Sequence, residues 1–464
     1  MTGVIAERNG IMAVLTGESG TDRSRRAYDE IDLSSRAFWS GTAAERERSF
    51  AALRAERPVS WHPPVEDSLL PDPTDPGFWA VTRRADIVTV SRNNDVFLSG
   101  HGVMFESIPA ELLEASQSFL AMDPPRHTKL RKLAHAALSP RQVRRIEDSI
   151  KANAKAIVEE LRAAGSGCDF VDHCAKELPI RTLSDMMGIP ESERERMAHA
   201  TDALVSWADP EFLNGRPALE VLLENQMYLH QVVGDLATQR RERPGDDLIS
   251  SLVTAEVDGD RLEDAEVAAF FVLLSVAGND TTRQTISHTL RALTVFPDEK
   301  SWLLEDFDHR IGTAVEEFIR WASPVMTFRR TAAADVELGG QAILAGEKVV
   351  MFYPSGNWDT EAFDHPERLN LGRDPNPHVG FGGGGLHFCL GAHVARAQLR
   401  AIFSELFRQL PGIQAGEPPI WRAISCTPSA PCRAPSDACG ANALAAAITR
   451  RRAGPATPNT RRRP

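Results

Sequence analysis

Apolar and polar residues follow a helical period along most of the chain. Apolar positions recur three and four residues apart, which places them on one face of a helix. The spacing predicts amphipathic helices over 42–57, 126–137, 140–164, 191–206, 217–241, 263–294 and 300–321. Shorter runs with a period of two predict strands at 77–82, 336–338 and 347–352. We therefore expect a mainly α fold with a small β-rich region, in one large domain.

The predicted helix over 263–294 differs from the others because residues 267–276 are apolar on nearly every face, which predicts burial. At 1.5 Å per residue it would be about 48 Å long. The polar run from Gly278 to Thr282 follows at once, and glycine and hydroxyl groups weaken a helix. We expect a local opening there, in which Asp280 and Thr281 pass protons to a bound molecule. A water-filled kink without catalysis is the alternative.

Cys389 lies in a glycine-rich loop that begins at Phe381 and precedes a helical pattern at Ala392. A helix N-terminus favours the anionic form of a cysteine, so Cys389 suits the role of a single axial ligand, and we expect haem iron. The absence of a nearby second cysteine leaves a zinc ribbon, an iron–sulfur cluster and a redox pair unsupported. A buried structural cysteine is the alternative. The four glycines at 382–385 favour close approach to a flat ligand.

Several other side chains form candidate sites only in combination. His127 and Arg131 lie one turn apart on a predicted helix, and with Arg330 and His387 they suit the two carboxylates of a porphyrin. Glu317 and Arg320 also lie one helical turn apart and can pair. Arg368 supplies a second guanidinium from an irregular region downstream.

Composition is that of an ordinary globular enzyme, with 464 residues of which 42% are hydrophobic and 25% charged. The net charge of −12 gives no case for nucleic-acid binding. No apolar run suits a membrane span and the N-terminus lacks a signal-peptide pattern, so we expect a cytoplasmic protein without membrane insertion. A local basic region is either a solvated helix face or a dock for an acidic electron carrier, and its cations are Lys129, Arg131, Lys132, Arg141, Arg144 and Arg145.

In their order along residues 45 to 421, these motifs resemble the cytochrome P450 superfamily. The resemblance implies a helical domain with a small β-rich region that encloses haem b, with Cys389 as proximal thiolate. It implies that Asp280 and Thr281 supply protons during oxygen activation. The haem propionates would be held by His127, Arg131, Arg330 and His387, and a buried ion network behind the haem would contain Glu317, Arg320 and Arg368.

The segments 277–283 and 376–391 are similar to those of soluble actinobacterial members that hydroxylate steroids and methyl-branched lipids. This likeness implies a haem-thiolate monooxygenase that inserts one oxygen atom of O2 into an apolar steroid, branched lipid or terpenoid-like substrate. Electrons would come from a separate ferredoxin and its NAD(P)H-dependent reductase, meeting the surface near Lys129, Arg131 and Lys132. Residues at substrate-facing positions are Phe270, Leu274, Ser275, Ala277, Val325, Met326 and Phe328.

We divide the chain into a weakly ordered arm (1–40), the haem domain (41–421) and an atypical tail (422–464). The tail is rich in Ala, Arg, Pro and Cys, which predicts disorder, and we interpret it as a shifted reading frame. A metal site there lacks a Cys-x-x-Cys pair among Cys426, Cys432 and Cys439. A haem-binding sensor or carrier, or an enzyme impaired by its tail, remains the alternative function, and the Asp280–Thr281 pair favours an active enzyme.

Overall fold

The computed structural model describes residues 26–107, 113, 118–137, 140–206, 209–257 and 259–416. The predicted tail with its three cysteines, residues 1–25 of the predicted arm, and the side chain of Arg141 lie outside this description. The helices are α1 (Arg36–Ser40), α2 (Ala43–Glu56), α3 (Arg84–Arg92), α4 (Arg126–Ala137), α5 (Pro140–Ala164), α6 (Glu177–Met187), α7 (Arg194–Val205), α8 (Pro210–Leu213), α9 (Ala218–Glu242), α10 (Leu248–Thr254), α11 (Asp264–Val295), α12 (Pro297–Glu305), α13 (Phe307–Ala322), α14 (Tyr353–Asn357) and α15 (Ala392–Gln409).

The strands are β1 (Val59–His62), β2 (Phe78–Val81), β3 (Phe97–Leu98), β4 (Glu256–Val257), β5 (Asp260–Arg261), β6 (Thr327–Ala332), β7 (Val336–Leu338), β8 (Gln341–Ile343) and β9 (Lys348–Phe352). One five-stranded sheet has the order β1-β2-β9-β6-β3, in which β2 and β9 are parallel and the other neighbours antiparallel. The prediction of a mainly α fold with a small β-rich region is confirmed.

Both faces of the five-stranded sheet are covered. Trp79 and Val81 of β2 pack into one apolar cluster, while Phe78 and Ala80 pack into another on the opposite face. Because side chains alternate along a strand, this arrangement explains why β2 is apolar at every position.

Helix α11 crosses the helical part of the molecule and packs against α6, α7, α9 and α13. Its N-terminal half, including Phe270 and Phe271, belongs to one core cluster, and its C-terminal half, including Ile286 and Leu293, belongs to another. The apolar run is therefore buried at 267–271, as predicted, whereas Val272, Leu273, Leu274 and Val276 are half-buried. Among the described helices, none has an apolar stretch long enough to cross a membrane.

Two sequence predictions about local order were wrong. The predicted helix 300–321 is two helices, α12 and α13, because the backbone of Asp306 (φ −151°, ψ 65°) is not helical and separates them. The predicted weak order of the arm fails for residues 26–40. Leu33 and Trp39 are buried, and the guanidinium of Arg26 lies 4.7 Å from the centre of the Trp79 ring. Isolated apolar residues in a polar stretch thus anchor this segment on the sheet.

Candidate functional site

The Cys389 loop leads directly into α15. The Cys389 N–H donates to the Phe381 carbonyl at 3.1 Å. The glycines serve a contact that the sequence did not reveal. A Cβ at Gly383 would lie 2.5 Å from Ser91 Oγ and one at Gly385, which has φ +77°, would lie 2.3 Å from the Ser91 carbonyl oxygen. Glycine is therefore required for close packing of the loop on α3, and not only for its approach to the cavity.

Cys389 lines a large cavity between α11, α15 and the sheet. Burial raises the pKa of the Cys389 thiol above its usual value, although the Gly391 N–H, Arg131 and Arg396 act to lower it. Desolvation is the largest of these contributions, although Cys389 is exposed to the cavity. A cation at the sulfur would stabilise the thiolate. In the described part of the chain, no three His, Cys, Asp or Glu side chains are grouped to hold a metal ion, so a metal at Cys389 would take one protein ligand on this side.

The four predicted carboxylate-binding residues come together beside the cavity. The ring centroids of His127 and His387 are 4.3 Å apart. Arg131 on α4 donates to the carbonyls of Leu386 (2.8 Å) and Phe388 (2.6 Å) in the Cys389 loop. Arg330 donates to the carbonyl of its neighbour Arg329 at 2.7 Å.

The electrostatics of this cluster suit an anion. Burial lowers the pKa of His387 to about 3, and Arg330, His127 and Arg131 lower it further. Burial also lowers the pKa of His127, again with help from Arg131. Both ring nitrogens of His127 and Nε of Arg330 are buried without a hydrogen-bond partner among the described residues. A carboxylate would reduce the repulsion between the positive charges of this cluster. It would also accept hydrogen bonds from the buried donors that lack a partner, so the cluster fits porphyrin propionates.

Helix α11 is continuous through its polar run, so the predicted local opening was wrong. Thr281 lines the cavity, and its hydroxyl donates to the Ala277 carbonyl one turn earlier at 2.8 Å. The Thr285 hydroxyl in turn donates to the Thr281 carbonyl at 2.8 Å. Hydroxyl groups therefore bond back to the helix instead of interrupting it.

Asp280 does not line the cavity. Its buried carboxylate forms an ion pair with Arg283 one turn along α11, and Arg283 also donates to Asp202 of α7 at 2.9 Å. The structure thus brings Thr281, but not Asp280, to the cavity wall. The sequence places the acid beside the threonine, but the partner on α7 decides the direction of its side chain.

Most predicted substrate-facing residues line the cavity, namely Phe270, Leu274, Ala277, Val325 and Phe328. Met326 does not, because it precedes β6 and packs against the apolar cluster on the other face of the sheet. The Ser275 hydroxyl is also turned away and donates to the Phe271 carbonyl at 2.8 Å. Phe119 was not predicted, although it lines the cavity and stacks on Phe270 with centroids 5.6 Å apart.

Glu317 and Arg320 form a fully buried ion pair with contacts of 2.7 and 2.8 Å. The prediction that Arg368 is the third member of this ion network was wrong. Its side chain is exposed, and only its carbonyl accepts bonds from the network. Arg373 takes the expected place, with Nε 3.1 Å from Glu317 Oε2, and Asn376 donates to the same oxygen at 2.9 Å.

Comparison with known proteins bears on this site. The family profile described as Cytochrome P450 matches residues 97–411. A methyl-branched lipid omega-hydroxylase of Mycobacterium tuberculosis is 40% identical over 410 residues, which cover 88% of this chain and 94% of that protein. A steroid C26-monooxygenase of Mycolicibacterium smegmatis is 37% identical over 373 residues, or 78% of this chain and 84% of that protein.

A solved structure is closer in sequence. It is Mycobacterium marinum cytochrome P450 CYP268A2 in complex with pseudoionone, which is 79% identical with a TM-score of 0.82. The match covers 85% of this chain and 95% of that chain.

Proposed function

The chain belongs to the cytochrome P450 family, and from this premise we propose that it hydroxylates the end of a methyl-branched apolar chain. It is a haem monooxygenase of apolar substrates. When bound, haem supplies the activation of O2, by which one oxygen atom enters the substrate and the other is reduced to water. The thiol of Cys389, the only cysteine among the described residues of the cavity wall, is the observation that carries the assignment of the ligand.

The residues around the cavity divide the work of holding the cofactor. Cys389 would ligate the iron, and His127, Arg131, Arg330 and His387 would hold the propionates. Arg131 contributes twice, because its guanidinium also fixes the carbonyls on either side of His387. The buried Glu317 network holds the segment that leads to the Cys389 loop in place.

Thr281 is the residue to which we assign proton handling. Thr281 lies in the cavity wall, where its hydroxyl can hold a water molecule or pass on a proton. Asp280 acts behind it, and delivery through Asp280 requires its carboxylate to leave Arg283. The hydroxyl in the cavity favours an enzyme over a haem carrier, which has no need of it.

The substrate proposal rests on the apolar wall and on the relatives together. Phe119, Phe270, Leu274, Val325 and Phe328 present carbon to the cavity. The relatives named above act on methyl-branched lipids and steroids, and CYP268A2 binds pseudoionone, a methyl-branched terpenoid ketone. A terminal branched carbon is the feature that these molecules offer in common.

A spectral titration tests the substrate class. We expect an iso-branched fatty acid and pseudoionone to bind in the cavity of the ferric holoenzyme and shift its Soret band. The straight-chain isomer of the fatty acid is the matched control and should bind at least several-fold more weakly. Mass spectrometry of the product should place oxygen on a terminal carbon. Equal binding of the two isomers, or oxidation in mid-chain, would contradict the proposal.

We assign a ferredoxin and its NAD(P)H-dependent reductase as electron donors. On this proposal the enzyme works in the cytoplasm together with them. Lys129 and Lys132 are exposed on α4, and Arg144 and Arg145 are exposed on α5. Arg131 is excluded from this surface role because its guanidinium turns inward to the Cys389 loop.

Reversing a charge tests the docking surface. Lys132→Glu should raise the KM for an acidic ferredoxin and weaken the salt dependence of reduction, because complementary charges steer association. The control is Arg48→Glu on α2, whose side chain is 65% exposed. Equal effects of the two variants would refute the assignment.

A further inference from the structure

A second, partly buried ion network lies next to the Glu317 network and ends at the Cys389 loop. Arg396 of α15 holds both carboxylate oxygens of Glu316 on α13, with contacts of 2.6 and 2.7 Å. His378 Nε2 lies 3.0 Å from the same carboxylate. The Gly380 N–H donates to His378 Nδ1 at 3.1 Å, so Nε2 carries the proton that reaches Glu316.

This network contacts the Cys389 loop through one aromatic ring. The Arg396 guanidinium lies 4.5 Å from the centre of the Phe381 ring. The Phe381 carbonyl accepts the N–H of Cys389, and the rings of Phe381 and Phe388 meet edge to face at 6.2 Å. A movement of Arg396 is therefore transmitted to the residue that carries the sulfur.

The network also places a positive charge near the sulfur. Arg131 and Arg396 are the cations that act on Cys389 in the described structure. Arg131 approaches from α4, where it binds loop carbonyls, whereas Arg396 approaches from α15 with Glu316 behind it. The carboxylate partly neutralises the guanidinium, so Glu316 determines how much positive field reaches Cys389.

We propose that Arg396 is a positioning residue that limits electron donation from Cys389 to the haem, and that Glu316 moderates its charge. The inference rests on the proposed ligation of haem by Cys389 and is independent of the substrate. Groups behind a metal ligand orient it and adjust its basicity, which is the role assigned here.

The proposal predicts opposite shifts for the two partners. Arg396→Gln removes the cation and leaves Glu316 negative, so the ferric state is stabilised and the haem reduction potential falls. Glu316→Gln leaves the cation without its carboxylate, so the potential rises. The double variant removes both charges and should return towards wild type. A network that only braces the fold would make the single variants shift together, because each breaks the same contact.

The experiment is a spectroelectrochemical titration of the substrate-free holoenzymes. Arg408→Gln is the matched control, because Arg408 lies on the same helix and is 58% exposed in its pair with Glu405. We expect a lower potential for Arg396→Gln, a higher one for Glu316→Gln and no change for Arg408→Gln. Shifts in one direction for both variants, or no shift, would overturn the inference.

If Arg396→Gln fails to retain haem, Glu316→Gln alone decides, and an unchanged or lower potential overturns the inference. The reduced, carbon monoxide-bound spectrum of the wild type separates this inference from the proposed ligation. Without a thiolate-type Soret band in the wild type both fail, whereas with that band and parallel shifts only the role of Arg396 fails.

Discussion

Replacing Arg373 with methionine removes one of the two guanidiniums that neutralise the buried carboxylate of Glu317. Arg373 Nε lies 3.1 Å from Glu317 Oε2, and its other nitrogens donate to the carbonyls of Asp364 (2.8 Å) and Arg368 (3.3 Å). Its side chain is only 7% exposed and that of Glu317 is fully buried. The change therefore leaves a buried charge with less compensation.

The magnitude follows from what remains around Glu317. Removing one partner of a buried ion pair costs about 3–5 kcal/mol of unfolding free energy. Glu317 keeps its two contacts with Arg320 and the N–H of Asn370, so we expect about 3 kcal/mol, the lower end of that range. Domains are commonly stable by about 5–15 kcal/mol, so the loss is a large fraction of the total.

Arg368→Met is the matched control, because the Arg368 side chain is exposed and its contribution is a backbone carbonyl. We expect its effect to stay within about 0.5 kcal/mol. The assay is urea unfolding of the ferric holoproteins, followed by Soret absorbance and far-ultraviolet circular dichroism, with the two curves required to coincide. A cost below about 1 kcal/mol for Arg373→Met, or equal costs for the two variants, would refute the reasoning.

Three further changes test the site and the fold. Thr281→Ala should lower product formed per NAD(P)H by about tenfold and raise peroxide, whereas Thr281→Ser should retain coupling; equal peroxide yields would remove the hydroxyl from the mechanism. Phe328→Ala should weaken binding of an apolar substrate by about tenfold in a spectral titration, because it removes buried apolar area, whereas Met326→Ala should not. Burial lowers the pKa of His62 to about 4, so its neutral form stabilises the fold above the unfolded pKa near 6.5. Stability should fall as pH drops from there towards 4, by at most about 3 kcal/mol from this group, and His62→Gln should flatten that slope in urea unfolding.

The sequence predicted helices well where periodicity is long and local. The bounds of α4 and α5 agree with the predicted 126–137 and 140–164, because both ranges have a sustained apolar face. The break at Asp306 was missed, because the apolar period continues across it while the backbone does not. Short helices such as α10 were missed because they offer too few turns for a period to show.

Positions decided by tertiary contact were beyond sequence reasoning. Arg368 and Arg373 stand in the same irregular segment, and only the path of the backbone decides which guanidinium reaches Glu317. Asp280 turns to Arg283, which in turn reaches a carboxylate on α7, a helix far away in sequence.

The glycines of the Cys389 loop and the residues before β6 show the same limit. Gly383 must lie close to Ser91 on α3, and no local pattern in the sequence indicates this contact. Phe328 and Arg330 share a face of β6 because they are two residues apart, whereas Met326 lies before the strand and packs elsewhere.

The visible spectrum of the reduced, carbon monoxide-bound holoenzyme tests the ligation by Cys389 most directly. We expect a Soret band in the position typical of thiolate-ligated haem, and its loss in Cys389→Ser. A wild-type band in the position of histidine-ligated or thiol-ligated haem would contradict the assignment of Cys389 and, with it, the chemistry proposed for the cavity.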